Sequence, residues 1–212
     1  MRLPCRYGQW HAGLAYCDAE DPAPRFLHLA WDREIKDEPL DDEELGWDQS
    51  YLWIEIQAPL AKRRALAQLC RRIAERVRVH GQTVRYAVRY HLGSFDPQTG
   101  AHVPAAGELG LTCATCVLAI CRGVELELVD IPTWPVRRED EAWFQRIVGY
   151  LQRADAEWAR AVAEDGLCPR FRPNEVAGAA LSPFGKVPFA GALAVAELLD
   201  RRYEDLFPAV ID

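Results

Sequence analysis

The chain has 212 residues, 50% of them apolar and 27% charged, which suits one domain with a sizeable core. Its formal net charge of −7 argues against bulk binding to nucleic acid or to an anionic membrane. No apolar run approaches the roughly eighteen residues of a membrane span, and the start, MRLPCRYGQWHAG, lacks an apolar core of signal-peptide length.

Seven cysteines, at positions 5, 17, 70, 113, 116, 121 and 168, have no even framework spacing. They are expected to be free thiols in a reducing, cytoplasmic compartment. Seven tryptophans are scattered through the chain and are expected as core and groove walls.

Gln9–Tyr16 and Arg25–Trp31 read as two strands of an antiparallel hairpin, the second alternating as Arg-Phe-Leu-His-Leu-Ala-Trp. Residues 32–48 are acidic and are expected as an exposed loop. Tyr51–Gln57 is a strand candidate. Pro59 opens an amphipathic helix to about His80, with Leu60, Ala67, Leu69, Ile73 and Val77 on one side. Lys62, Arg63, Arg64, Arg71, Arg72 and Arg76 form its basic face, read as solvated, with an acidic partner as the alternative.

Thr83–His91, rich in Val and Tyr, is a further strand candidate. Residues 93–110 form a loop loaded with turn formers and long enough to line a site. A helix follows from Cys113, then a short strand at Val124–Val129. One long helix is expected from Arg138 to about Glu164, another at Asn174–Leu181, and a last from about Phe189 to Leu206.

The stretch Gly107–Val124 carries the chemistry. Cys113 stands where its helix begins, beside unpaired backbone N–H groups and a partial positive charge. Those features favour a thiolate and can receive an oxyanion. Cys116 and Cys121 lie deeper in the apolar helix and are expected in the core. A cysteine nucleophile needs a base, and His11, in Trp-His-Ala-Gly, is the first candidate. His28, on the neighbouring strand, is placed to orient it, with a core histidine as the bland alternative. Gln9, two residues before the base, and Thr112, at the helix start, are the candidate substrate-binding or oxyanion residues. His91 and His102 are reserves for the base.

A strand beginning Trp-His-Ala-Gly, a second reading Phe-Leu-His-Leu, and a later helix opening Leu-Thr-Cys-Ala-Thr-Cys-Val together resemble the circularly permuted papain-like superfamily. That superfamily includes permuted NlpC-type hydrolases and lecithin–retinol acyltransferase-like enzymes. The resemblance covers roughly residues 7–130 and implies Cys113 as nucleophile, His11 as base and His28 as the orienting residue. It implies an α+β fold in which an antiparallel sheet packs on the nucleophile-bearing helix. Residues 1–131 would form the catalytic core, and 132–212 a helical C-terminal extension packed on it, within a single domain overall. It also implies a thiol hydrolase or acyltransferase acting on an amide, isopeptide or ester bond, with a peptide, protein or lipid-amide substrate and no cofactor.

Three other readings remain. A catalytically silent interaction module of the same fold would use the acidic segment or the arginine face to hold a protein partner. A thiol–disulfide oxidoreductase would use Cys113-x-x-Cys116, but the surrounding βαβ pattern is missing. A zinc site lacks a second ligand pair, so no metal is expected.

Overall fold

The computed structural model describes residues 3–5, 9–17, 23–40, 52–183 and 185–206, with side chains placed from Trp10 onward. The chain is mixed α+β, with a small antiparallel sheet and six α-helices among the described residues. The expected strand over Gln9–Tyr16 is divided into β2 (Gln9–His11) and β3 (Leu14–Tyr16), separated by Ala12 and Gly13. β2 pairs with β1 (Leu3–Cys5), matching His11 to Leu3. β3 joins β4 (Arg25–Trp31), matching Leu14 to Leu27, as the hairpin reading requires.

Gly13 fits at the break because a Cβ there would lie 2.6 Å from Cβ of His28 and 2.5 Å from the Phe26 ring. Only a residue without a side chain lets the two strands approach so closely.

Part of the acidic stretch is not a loop. Glu34–Pro39 forms β5, antiparallel to β4, with Leu29 opposite Ile35 and Leu27 opposite Asp37. Two of its carboxylates, Asp37 and Glu38, are paired across the sheet instead of solvated. Asp37 accepts from Arg25 Nε at 2.6 Å and from Tyr16 Oη at 2.9 Å. Positions 41–48 of the predicted loop lie outside the described residues.

Helix α1 (Leu60–His80) buries Leu66, Leu69, Cys70 and Ile73, a spacing that keeps one face on the core. Leu60 stays exposed. Its basic residues largely grip neighbouring segments: Lys62 donates to Val124 O at 2.7 Å, Arg76 to Gln82 at 3.2 Å, Arg63 to Glu55 and Arg72 to Pro97 O.

Three expected strands are irregular. Residues 53–58 carry no ladder, and Gln57 N–H donates instead to Ala180 O at 2.8 Å. Residues 83–91 make a single bridge, Tyr86 to Leu111, and residues 124–129 another, Val129 to Val187. In 83–91 the arginines turn outward to carboxylates, with Arg85 on Asp155 at 3.0 Å and Arg89 on Asp165 at 2.8 Å. Residues 93–110 contain a short hairpin, β6 (Ser94–Phe95) with β7 (His102–Val103).

Helix α2 (Cys113–Gly123) is buried from Cys113 to Cys121 and packs against β4 and α1. The expected long helix is broken into α3 (Glu141–Ala154) and α4 (Ala156–Asp165). Asp155 causes the break: extended, with its carboxylate accepting from Trp158 N–H at 3.0 Å, it caps a new helix. Then come α5 (Pro173–Ala180) and α6 (Phe189–Leu206), packed on each other. No helix among the described residues is long and apolar enough to cross a membrane.

A buried ionic cluster ties the start of α5 to the turn before α3. Arg137 Nε donates to Asp140 at 2.8 Å and its Nη1 to Glu175, while Arg170 and Arg172 reach Asp140 at 3.0 and 2.8 Å. The Asp140 and Glu175 side chains are each 1% exposed. Burial alone would raise the Asp140 carboxyl, but hydrogen bonds and charge from Arg172 and Arg137 hold it below its usual range.

Candidate functional site

The start of α2 is fixed from both sides. Before it, Leu111 N–H donates to Arg85 O at 2.9 Å and Ala87 N–H to Leu111 O at 3.3 Å. Gly110 permits this approach, since a Cβ there would lie 2.1 Å from Arg85 O. After it, Thr112 caps the helix: its hydroxyl accepts from Thr115 N–H at 3.1 Å, and Thr115 Oγ1 accepts from Thr112 N–H at 2.7 Å. Cys116 N–H makes the helical bond back to Thr112 O at 2.8 Å. The N–H groups of Cys113 and Ala114 come before that bond, at the positive end of the helix.

Cys113 is 8% exposed, the least enclosed of the three thiols of α2. Burial pushes the Cys121 thiol up to about 12 and raises Cys116 further still, with a contribution from Cys113. Cys70, facing these two from α1, is raised by the same burial. Cys116 and Cys121 are therefore core thiols, as expected, and a high thiol pKa at Cys116 disfavours exchange chemistry.

The two predicted imidazoles meet. His11 Nε2 lies 2.7 Å from His28 Nδ1, with the rings edge to face at 4.8 Å between centroids. His28 is 3% exposed and stacks on Phe26 at 4.4 Å. Its other nitrogen, Nε2, lies 3.1 Å from Glu38 Oε2, and Lys36 Nζ lies 3.8 Å from Glu38 Oε1. In the ladder Lys36 is directly opposite His28 and Glu38 is the diagonal neighbour, within reach of a long side chain.

Glu38 is the residue that sequence reasoning missed, because it was read into an exposed loop. The overlooked signal was Ile35 among alternating charges.

This order of contacts fixes both tautomers. A carboxylate only accepts, so His28 Nε2 carries the proton that Glu38 takes up in hydrogen bonding. His28 Nδ1 is then an acceptor, and His11 Nε2–H donates to it. What remains on His11 is Nδ1, with a free lone pair. Both rings are neutral at pH 7: burial, and then the neighbouring His28, lower His11 to about 3, while burial and the Lys36 charge lower His28 to about 4. His11 is thus a neutral imidazole and not an imidazolium.

The structure places the other candidates as follows. No hydrogen bond joins His11 to Cys113 among the described residues. The Thr112 hydroxyl is committed to the cap. The Gln9 side chain lies outside the described residues. His102 belongs to the β6–β7 hairpin, whose Phe95 O lies against Gly123 at the far end of α2. His102 Nε2 is 2.9 Å from Glu108 Oε1 without hydrogen-bond geometry, and His91 is 3.8 Å from Asp165. Trp10 packs on Tyr203 and Trp31 on Tyr86, so both are structural contacts.

Among the described residues no group of three or more His, Cys, Asp or Glu could hold a metal ion. No protein-family model, no curated protein and no solved structure matches the chain, so its functional reading rests on these residues alone.

Proposed function

We propose that the protein is a thiol hydrolase of permuted papain-like type, cleaving an amide, isopeptide or ester bond through Cys113. The observation that carries this reading is the ordered chain Glu38–His28–His11. It leaves a neutral imidazole with one free lone pair on the strand upstream of a cysteine at a capped helix start. A core histidine needs a partner, but it does not need two further groups that fix its tautomer.

In the mechanism, His11 Nδ1 takes the Cys113 thiol proton as sulfur attacks the carbonyl carbon. The developing oxyanion is held by backbone N–H groups at the start of α2. The tetrahedral species collapses, the C–N or C–O bond breaks, and the leaving group takes the proton from His11. Water, deprotonated by the same nitrogen, then attacks the thioester and releases the acid and the thiol. Hydrogen bonds between catalytic groups are commonly long before substrate binds. The mechanism requires His11 and Cys113 to close on each other in that complex.

The test is thiol chemistry, because it needs no known substrate. Iodoacetamide should modify Cys113 faster than exposed Cys17, and His11→Ala should abolish that preference. Equal rates at Cys113 and Cys17 in the unaltered protein would refute the reading and favour a catalytically silent protein-binding module of the same architecture.

A further inference from the structure

We infer that Glu38, His28 and His11 form a two-state proton relay, in which a proton taken up at His11 Nδ1 comes to rest on Glu38 Oε2. The relay deepens the proposed thiol mechanism by giving the Cys113 proton a destination, and that role rests on the thiol reading. The relay itself stands on the contacts of β2, β4 and β5.

The contacts admit two orders of donors, and neither ring has to turn between them. With Glu38 ionised, His28 Nε2–H donates to Oε2 across 3.1 Å, and His11 Nε2–H donates to His28 Nδ1 across 2.7 Å. When a proton arrives at His11 Nδ1, the proton on His11 Nε2 passes to His28 Nδ1. The proton on His28 Nε2 then passes to Glu38 Oε2. Each ring gains one N–H bond and loses one, so both end neutral, and the negative charge of Glu38 is what disappears. Return of the proton to a leaving group reverses every hop. The alternative, a lasting imidazolium, would sit beside a His28 ring that is 3% exposed and stacked on Phe26, where burial opposes charge.

Lys36 decides which carboxyl oxygen takes the proton. Its ammonium lies 3.8 Å from Oε1 and disfavours a proton there, which leaves Oε2, the atom that faces His28. Oε2–H donates to His28 Nε2 across the same contact. That nitrogen turns from donor into acceptor, and His11 Nε2 follows it. His11 Nδ1 then carries a hydrogen in place of a lone pair, so the charge on Glu38 sets whether His11 can accept a proton or give one.

Other charged groups around these strands are engaged elsewhere. Arg25 and Asp37 lie on the opposite face of β4 and β5, bonded to each other, and Tyr16 of β3 donates to the same Asp37. From α2, packed on β4, come the thiols of Cys113, Cys116 and Cys121, and Arg122, which donates to Glu127. From α5, packed on β2, comes Glu175, which accepts from Arg137.

The test reads the histidine tautomers of the full chain by long-range 1H–15N correlation, with His11→Gln and His28→Gln used only to assign the two rings. At neutral pH both rings of the unaltered protein should be Nε2–H, with Nδ1 bare. Glu38→Gln imitates the protonated carboxyl at the same pH: its carbonyl oxygen takes the Lys36 side and its NH2 donates to His28 Nε2. Both rings should then read Nδ1–H, with circular dichroism unchanged. Acidifying the unaltered protein should bring the same Nδ1–H signature before either ring shows two protonated nitrogens, a reading that needs no variant to fold. Rings that are not both Nε2–H in the unaltered protein, rings that stay Nε2–H in folded Glu38→Gln, or an imidazolium as the first species in acid would each overturn the relay. A tautomer flip without preferential alkylation of Cys113 would uphold the relay and remove the thiol hydrolase reading alone.

Discussion

Acid should unfold this protein through two histidines before it reaches the carboxylates. His11 and His28 titrate at about 3 and about 4 in the folded chain, against 6.5 when exposed. Between these values the unfolded state binds more protons than the folded one, so stability falls as pH falls from 6.5 towards 4 and is retained above pH 7. Each ring then contributes about 2 kcal/mol between pH 7.5 and 5, from a limiting slope of about 1.4 kcal/mol per pH unit. Allowing for the part of His11 that remains exposed, the pair contributes about 3–4 kcal/mol, a large share of a typical 5–15 kcal/mol.

The buried Asp140 also loses stability in acid, but its pKa is lowered, so its contribution is lost only as pH falls through the usual carboxylate range and further down, below the window of the histidines. Guanidinium unfolding followed by tryptophan fluorescence, at intervals from pH 7.5 to 5, isolates the histidine contribution. His11→Gln should remove about half of the slope, and His11→Gln with His28→Gln nearly all of it. A flat profile in the unaltered protein, or an undiminished slope in the double variant, would refute the neutral, mutually bonded pair.

Other outcomes are open to measurement. Glu38→Gln keeps the shape but removes the ionised acceptor, so His28 loses its fixed tautomer and Cys113 alkylation should slow about 10–100-fold, as expected for a hydrogen bond to a charged group. Gly13→Ala forces a Cβ into Phe26 and His28; it should cost about 1–3 kcal/mol in denaturant stability and lower Cys113 reactivity as well. Asp140→Ala leaves Arg137, Arg170 and Arg172 without a shared carboxylate and should destabilise by about 3–5 kcal/mol, read as a shifted denaturant midpoint.

The sequence was most legible where one side of an element faces the core. Arg25–Trp31 is legible from its alternation, α1 from its apolar face, α6 from its alanine- and leucine-rich composition, and the start of α2 from a glycine turn running into an apolar segment. It was least legible where pairing is polar. Glu34–Pro39 has one inward apolar residue, Ile35, and its remaining order comes from Arg25, Tyr16 and His28 reaching its carboxylates. That is why Glu38 escaped notice.

Thr83–His91 misled in the opposite sense. Its Val and Tyr residues are buried as a strand's would be, but its backbone is shared between Arg33, Leu111 and the Trp158 indole instead of one ladder. For α3 and α4 the helical spacing of Trp143, Ile147, Leu151 and Trp158 hid a capping signal, Asp155 three residues before Trp158, that the sequence did contain.

The tie between Leu111 and Arg85 makes the second half of the chain a brace for the first. Arg85 stacks on the Trp158 ring at 3.9 Å and bonds Asp155, while the Trp158 indole holds Tyr86 O at 3.0 Å. Force on α4 is therefore transmitted through residues 85–87 to the backbone immediately before Cys113. The C-terminal helices act on the start of α2 as a mount acts on an instrument: through residues 85–87 they set where it points.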